Sequence, residues 1–432
     1  MKRILIVSFD FPPQGGTGAI RVTKFVKYLP EFGWQPVVVC SDTNWNRDES
    51  LARDVPPETP VYRVGWPRWV QALRPGAPGV ANSTIAATPR SGWMSSLKQM
   101  LAKAARRALI PDVNVLWVSN ALRVCEQVLH EHPCDAVLTT SPPHSVHLVG
   151  RGLRSRLEIP WVADFRDVWT AENPALRRLG KIHHARQRRV ERQVLEACDR
   201  AVMVTEPLTR QTQRVFGPKV SPKCTTITNG FDPDDFALPL AASVDNKFVI
   251  TYVGTILGSQ TNNAFPEGLR LALEQSAVFR NAVQAHFVGQ LAPEYHARLK
   301  GVENYVEITG FVPHDAAIEA MRHAHLLLLI LSSTDLARMI FTNKFFEYLA
   351  ARRPILALVP SGIISDIIEQ EKIGSVASPD NAPAIAQALL AMFESVRARP
   401  DGYYPSEALL ARFDRRGLTR RLAAVLDEIT GK

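Results

Sequence analysis

Long apolar runs are missing from this 432-residue chain: no uninterrupted stretch exceeds the six residues of Leu326–Leu331, against the ~18–20 that a membrane-spanning helix needs. Cysteine is scarce and scattered. Cys40, Cys125, Cys134, Cys198 and Cys224 form no Cys-x-x-Cys and are odd in number, which excludes a zinc ribbon and argues against a disulfide framework. No Gly-Lys-Ser/Thr closes a Walker loop, and no Gly-x-Ser-x-Gly elbow is present, so a P-loop enzyme and a serine hydrolase have no support. No secretory leader is expected, because Asp10 and the prolines at 12 and 13 cut short the run Ile4–Phe9. The histidines have no metal-ligand spacing, and no metal site is expected. These absences point to a reducing cytoplasm.

Hydrophobic residues make up 46% and charged residues 22%, an ordinary globular balance at a length suited to two or three domains. The charge is uneven. Residues 1–238 hold 32 Lys and Arg against 22 Asp and Glu, a net of +10, and residues 239–432 hold 19 against 20, a net of −1. The densest basic patch is Arg177–Arg192. Around it no aromatics are interleaved as a nucleic-acid stacking platform would require, so nucleic acid is not the expected partner. An anionic membrane leaflet is the other candidate, and a solvated helix face the plain alternative. Residues 95–110 form a basic amphipathic stretch, with Lys98, Lys103, Arg106 and Arg107 mostly opposite or flanking an apolar face. Such a helix can lie on that leaflet or pack on its own domain. The expected location is cytoplasmic and peripheral, on the inner face of the plasma membrane.

Residues 2–9 read as a buried strand, followed by the turn Pro12–Gly18, a helix over Arg21–Glu31 and a second strand at Pro36–Cys40. That order is a parallel βαβ unit. Further short apolar runs lie at Ala136–Thr139, Trp161–Ala163 and Ala201–Thr205. The pattern restarts at Phe248–Val253 and continues through Ala285–Val288, Val306–Ile308, Leu326–Ile330 and Ile355–Leu358. The fold class is α/β, with two doubly wound parallel-sheet domains. The expected bounds are 1–238, with an excursion over 56–110, then 239–415, and a final helix over 416–432.

Four segments carry chemistry. Gly15 and Gly16 sit between the first strand and a helix, where backbone can approach a phosphate, although a plain tight turn has the same look. Trp161–Trp169 places Asp164, Arg166 and Asp167 past a strand's carboxyl end, as site residues or as an internal ion network. His144 follows another strand, as a polar site residue or a turn histidine. In Thr342–Ala350, Thr342 or Asn343 caps a helix, and Lys344 and Glu347 share a face of its first two turns. A lysine there opposes the helix dipole unless an anion binds. The alternative is a surface Lys–Glu pair. Asp232, Asp234 and Asp235 read as turn caps rather than metal ligands.

Taken together, the segments resemble glycosyltransferase family 4, the group 1 type with the GT-B fold, and in particular members that build bacterial surface polysaccharides. The resemblance rests on FDFPPQGGTGAIR, PWVADFRDVW, ITNGFD, YVGTI, ITGFVP and NKFFEYLAARRP, in the family's order. It implies two facing Rossmann-like domains with a cleft between them, the first for the acceptor and the second for a UDP-sugar or GDP-sugar. It further implies Glu347 on the ribose, Lys344 on the diphosphate, Gly254 and Thr255 in the nucleotide-binding half and Phe311 beside the base. Gly15 and Gly16 would approach the donor sugar, with His144, Asp164, Arg166 and Asp167 along the acceptor side. The implied reaction is a retaining hexosyl or acetamidohexosyl transfer to a lipid-linked saccharide, with no cofactor and no metal. The sequence departs from the family pattern at Met339, where a carboxylate is usual, and at Gly258, Ser259 and Gln260, where many members carry Arg and Lys. Rival readings are a GT-B nucleotide-sugar epimerase, a catalytically silent nucleotide-binding partner and a Rossmann oxidoreductase.

Overall fold

A computed structural model describes residues 1–43, 49–67, 109–170, 173, 176, 179–237, 247–399 and 402–431. The amphipathic stretch bearing Lys98, Lys103, Arg106 and Arg107 lies outside them. The chain divides into two compact units, Met1–Thr228 together with Thr419–Lys432, and Asn229–Leu418.

The first unit is built on a seven-stranded sheet in the order β3-β2-β1-β4-β5-β6-β7. Its strands are β1 (Lys2–Ser8), β2 (Trp34–Ser41), β3 (Val61–Val64), β4 (Ala136–Ser141), β5 (Trp161–Phe165), β6 (Arg200–Met203) and β7 (Cys224–Thr226). All pairings are parallel, and β1 lies between β2 and β4, with Ile4 opposite both Pro36 and Ala136. Ile4–Val7 have no exposed surface, because helices cover both faces of a parallel sheet and leave no polar side to alternate with. The chain's last helix, Arg415–Ile429, ends in this unit. Lys2 Nζ donates to Asp427 at 2.7 Å and to Thr430 at 3.0 Å, and Trp34 Nε1 donates to Asp427 at 3.2 Å.

The second unit has a six-stranded parallel sheet in the order β10-β9-β8-β11-β12-β13. Its strands are β8 (Phe248–Val253), β9 (Val283–Val288), β10 (Val306–Gly310), β11 (Leu326–Ile330), β12 (Ile355–Leu358) and β13 (Gly374–Ala377). The unbroken apolar run of β11 has a simple cause. Leu326, Leu328 and Ile330 enter one core, while Leu327 and Leu329 enter the core on the opposite face.

Both sheets reverse their strand order once, between β1 and β4 and between β8 and β11, and such switch points open a crevice at the strands' carboxyl ends. The first helix starts at Thr17 rather than at the expected Arg21 and ends at Tyr28. Three strands that the apolar pattern does not mark, β3, β7 and β13, all lie at sheet edges. Most of their residues are only half-buried, so their hydrophobic signal is weak.

Candidate active site

In the first unit, residues 9–16 leave β1 and enter the helix Thr17–Tyr28, whose N-cap position is held by Gly16 at φ 97, with no side-chain cap. Gly15 is buried and Gly16 exposed. A Cβ built on Gly18 would lie 2.4 Å from Asp10 Oδ2, so the Asp10 carboxyl lies over the helix's first turn. Gln14 Nε2 donates to Asp10 Oδ1 at 2.7 Å. Burial raises the Asp10 pKa, against the opposing effect of Arg166 and then the Gln14 hydrogen bond. Asp10 and Gln14 lie within the FDFPPQGGTGAIR segment, at the carboxyl end of a central strand, but no residue type or spacing there marks them as site residues.

Arg166 joins two turns. Its Nε donates to Ser141 O at 2.9 Å, its Nη2 to Pro142 O at 2.8 Å and its Nη1 to Gly18 O. The guanidinium therefore fixes the turn after β4 against the turn after β1. Asp164 has no exposed surface. It accepts from Arg21 Nε at 3.1 Å, Arg21 Nη2 at 2.8 Å and Thr140 Oγ1 at 2.7 Å. Arg21 also donates to the carbonyls of Ile227 at 2.9 Å and Thr228 at 2.7 Å. This corrects the expected contact of Asp164 with substrate: a carboxylate so enclosed is the counter-ion of a buried arginine. Arg166 is likewise 7% exposed and acts by positioning. Asp167 alone of the three is exposed.

His144 is stacked on Trp169, with centroids 4.7 Å apart and planes 4° from parallel. Its pKa is pulled down to about 3, mainly by burial and further by Arg166, against the Val168 backbone, so the ring is neutral at physiological pH. Its Nδ1 is buried without a hydrogen-bond partner, as is Ser141 Oγ. Behind it, His147 has no exposed surface, and its Nδ1 lies 2.8 Å from Thr139 Oγ1. Two buried polar atoms near the end of β4 are thus without a hydrogen-bond partner, an exception to the usual pairing of buried polar groups.

In the second unit, Gly254 follows β8 with φ +117, and a Cβ there would lie 2.3 Å from Lys344 Cε. Only glycine suits both that conformation and that contact. Lys344 opens the helix Asn343–Ala350, for which Thr342 holds the N-cap position without a side-chain bond. Its Nζ donates to Tyr252 Oη at 2.7 Å and lies 4.6 Å from the ring centroid, and Tyr252 Oη donates to Thr255 O at 3.2 Å. Burial pulls the Lys344 pKa down to about 8, with Glu347 opposing the shift. Tyr252 opens the YVGTI segment, but nothing in the sequence pairs it with Lys344, 92 positions away.

Lys344 and Glu347 share a face, yet no ion pair between them appears among the described residues. Glu347 is half-buried. Burial raises its pKa, while His314 and Arg415 lead the opposing charges. Tyr348 secures the helix beneath them, accepting from Val253 N at 3.0 Å and donating to Leu328 O at 3.1 Å. Thr255 is exposed, and Phe311, in the turn after β10, is 83% exposed. A cation on a neutral phenol, beside an uncapped helix start, is the arrangement an anionic ligand can take over.

Residues 16–230 match the glycosyl transferase 4-like domain, and residues 247–395 match the glycosyl transferases group 1 family. The chain is a group 1 glycosyltransferase. Its fold is GT-B, as solved structures with the same architecture agree. HepE of Anabaena in complex with UDP aligns at TM-score 0.66 and 15% identity, covering 99% of this chain and 100% of that one. A glycosyltransferase from Rickettsia africae ESF-5 aligns at TM-score 0.65 and 14% identity, covering 100% and 99%. A putative UDP-N-acetylglucosamine 2-epimerase from Listeria monocytogenes shares the architecture at TM-score 0.59 and 8% identity, covering 99% and 96%. No curated protein matches the glycosyltransferase by sequence. No helix among its described residues is long and apolar enough to cross a membrane.

Proposed function

We propose that this glycosyltransferase moves a hexose or acetamidohexose from a UDP-sugar or GDP-sugar to a lipid-linked saccharide acceptor in polysaccharide assembly. The second unit takes the donor and the first the acceptor. The observation that carries the reading is Lys344 held on Tyr252 across Gly254. A diphosphate can replace the phenol as its partner and gain a charge-assisted bond, together with the free N–H groups of the helix start. Glu347, one turn on, takes the ribose diol, and Phe311 and Thr255 lie towards the base and the phosphates. HepE is known in complex with UDP-glucose, which supports a nucleotide-sugar donor. Charge on the leaving diphosphate is met by fixed donors rather than by a metal, and the anomeric configuration is retained. Neutral His144, with Nδ1 unpartnered, and exposed Asp167 serve the acceptor, while Arg166 and Asp164 hold that edge in shape.

A basic surface fits a lipid-linked acceptor at an anionic leaflet on the cytoplasmic face. The helix Lys181–Ala197 exposes Lys181, Arg186, Arg188 and Arg189. Flotation with anionic vesicles at low salt is the test, and protein that stays out of the vesicle fraction defeats this part of the proposal.

For the donor, the test is thermal melting with UDP, GDP, NAD and UDP-sugars, repeated on Glu347→Ala. Ligand at 100 times its Kd stabilises by ~2.7 kcal/mol. A UDP or GDP shift abolished in the variant supports the site, and a shift with NAD alone refutes it. Turnover of donor without any acceptor would mark an epimerase instead.

A further inference from the structure

The second unit has a cavity of about 440 Å³ at the opposite end of the helix Asn343–Ala350 from Lys344, walled by Arg322, Arg352 and Arg353 with Phe231, Phe236 and Tyr404. Arg322 precedes β11 and Arg353 precedes β12, so the cavity lies at the amino ends of these strands, whereas Gly254 lies at a carboxyl end. We propose that this cavity is a second ligand site, for a small phosphate ester with a ring, of the size of a sugar phosphate. It goes beyond the donor and acceptor reading and does not depend on it.

Three guanidinium-bearing residues share the wall, and among the described residues no carboxylate lines it. Arginines at helix ends have an ordinary role, since cations are favoured by the C-terminal dipole. Arg353 fits that role in part, its Nε donating to Arg322 O at 2.8 Å. That role does not account for the rest. It explains neither the gathering of like charges around one void nor the aromatic side opposite them. Arg352 is in the left-handed region at φ 53, and its Nη2 pairs with Glu407 Oε1 at 2.6 Å. Phe231 and Phe236 meet edge to face, with centroids 6.4 Å apart, giving an apolar wall for a ring.

Guanidinium groups recognise phosphate by paired N–H donors, and ligand cavities span ~300–1,000 Å³. A bare phosphate leaves most of this one empty, while a ring on the ester fills it. The helix Asn343–Ala350 runs from Lys344 towards Arg352 and Arg353, a span of about 12 Å at ~1.5 Å per residue. Occupancy at one end therefore bears on the helix that presents Lys344 at the other.

The test uses glucose 1-phosphate as probe and the full chain saturated with UDP. A further rise in melting temperature is expected, weakened by salt, and lost in the double variant Arg322→Gln/Arg353→Gln. Should the double variant not fold, Arg352→Ala alters an exposed side chain and should weaken the probe roughly tenfold. The Glu347→Ala protein, without UDP, should keep the glucose 1-phosphate shift even if the donor reading fails. No shift, a shift that survives the arginine substitutions, or an equal shift from inorganic phosphate overturns the proposal.

Discussion

Arg21 and Arg166 in the first unit are enclosed by partners that cannot be exchanged, a buried carboxylate and a set of backbone carbonyls. Lys344 in the second unit rests on a neutral hydroxyl that a stronger acceptor can displace. Both units carry a doubly wound sheet with charge near its switch point, but one uses cations to fix loops and the other keeps a cation ready for an anion. Burial and the identity of the partner, rather than the residue type, decide between the two uses.

The largest effect expected is on the fixed side. Asp164→Ala leaves Arg21 buried and uncompensated, at a cost of ~3–5 kcal/mol, read as a lower denaturation midpoint. A small loss would show that the ion pair is not what holds that edge. On the exchangeable side, Lys344→Ala should leave the fold stable and weaken UDP by ~10–100-fold, the range for one charge-assisted bond, measured by calorimetric titration. If stability falls and affinity does not, the contrast between the units disappears.

Acidity sharpens it further. With the Lys344 pKa lowered to about 8, UDP affinity should be level below that pH and fall above it as the ammonium deprotonates. Fold stability should move oppositely from this group, rising between about 8 and the unfolded value near ~10.4, because there the unfolded chain binds more protons. Titration and denaturation over pH 7–10 separate the two. Tyr252→Phe removes the resting partner that the diphosphate displaces and should tighten UDP about fivefold. The smallest effect is a null one. His144, pulled down to about 3, should leave no inflection in kcat/KM between pH 6 and 7, whereas an inflection lost in His144→Gln would show that it charges during turnover.

Both sheets, the turn at Gly15–Gly16 and the Lys344/Glu347 face can be read from the sequence, since each depends on local pattern: buried strands, a glycine pair, a three-residue helical spacing. What cannot be read is long-range pairing. Arg21 and Asp164 are 143 positions apart, and Lys344 and Tyr252 are 92 apart, so no spacing announces either contact. Arg21 stands where a dinucleotide fingerprint would have a small residue, and only the folded chain gives its partner. The edge strands β3, β7 and β13 escape notice for the opposite reason: they are local but half-exposed, and leave too little apolar signal.

The last helix, Arg415–Ile429, begins in the second unit and ends in the first, with the boundary at Leu418 and Thr419. During synthesis, the first unit therefore waits for the whole of the second before its final piece emerges. At ~5–20 residues per second the interval between Thr228 and Thr419 is about 10–40 s. Through that time Trp34 and Lys2 lack Asp427, and β1 lies at the start of an unfinished body. A stop codon that removes only the final fourteen residues therefore damages the part of the protein made first.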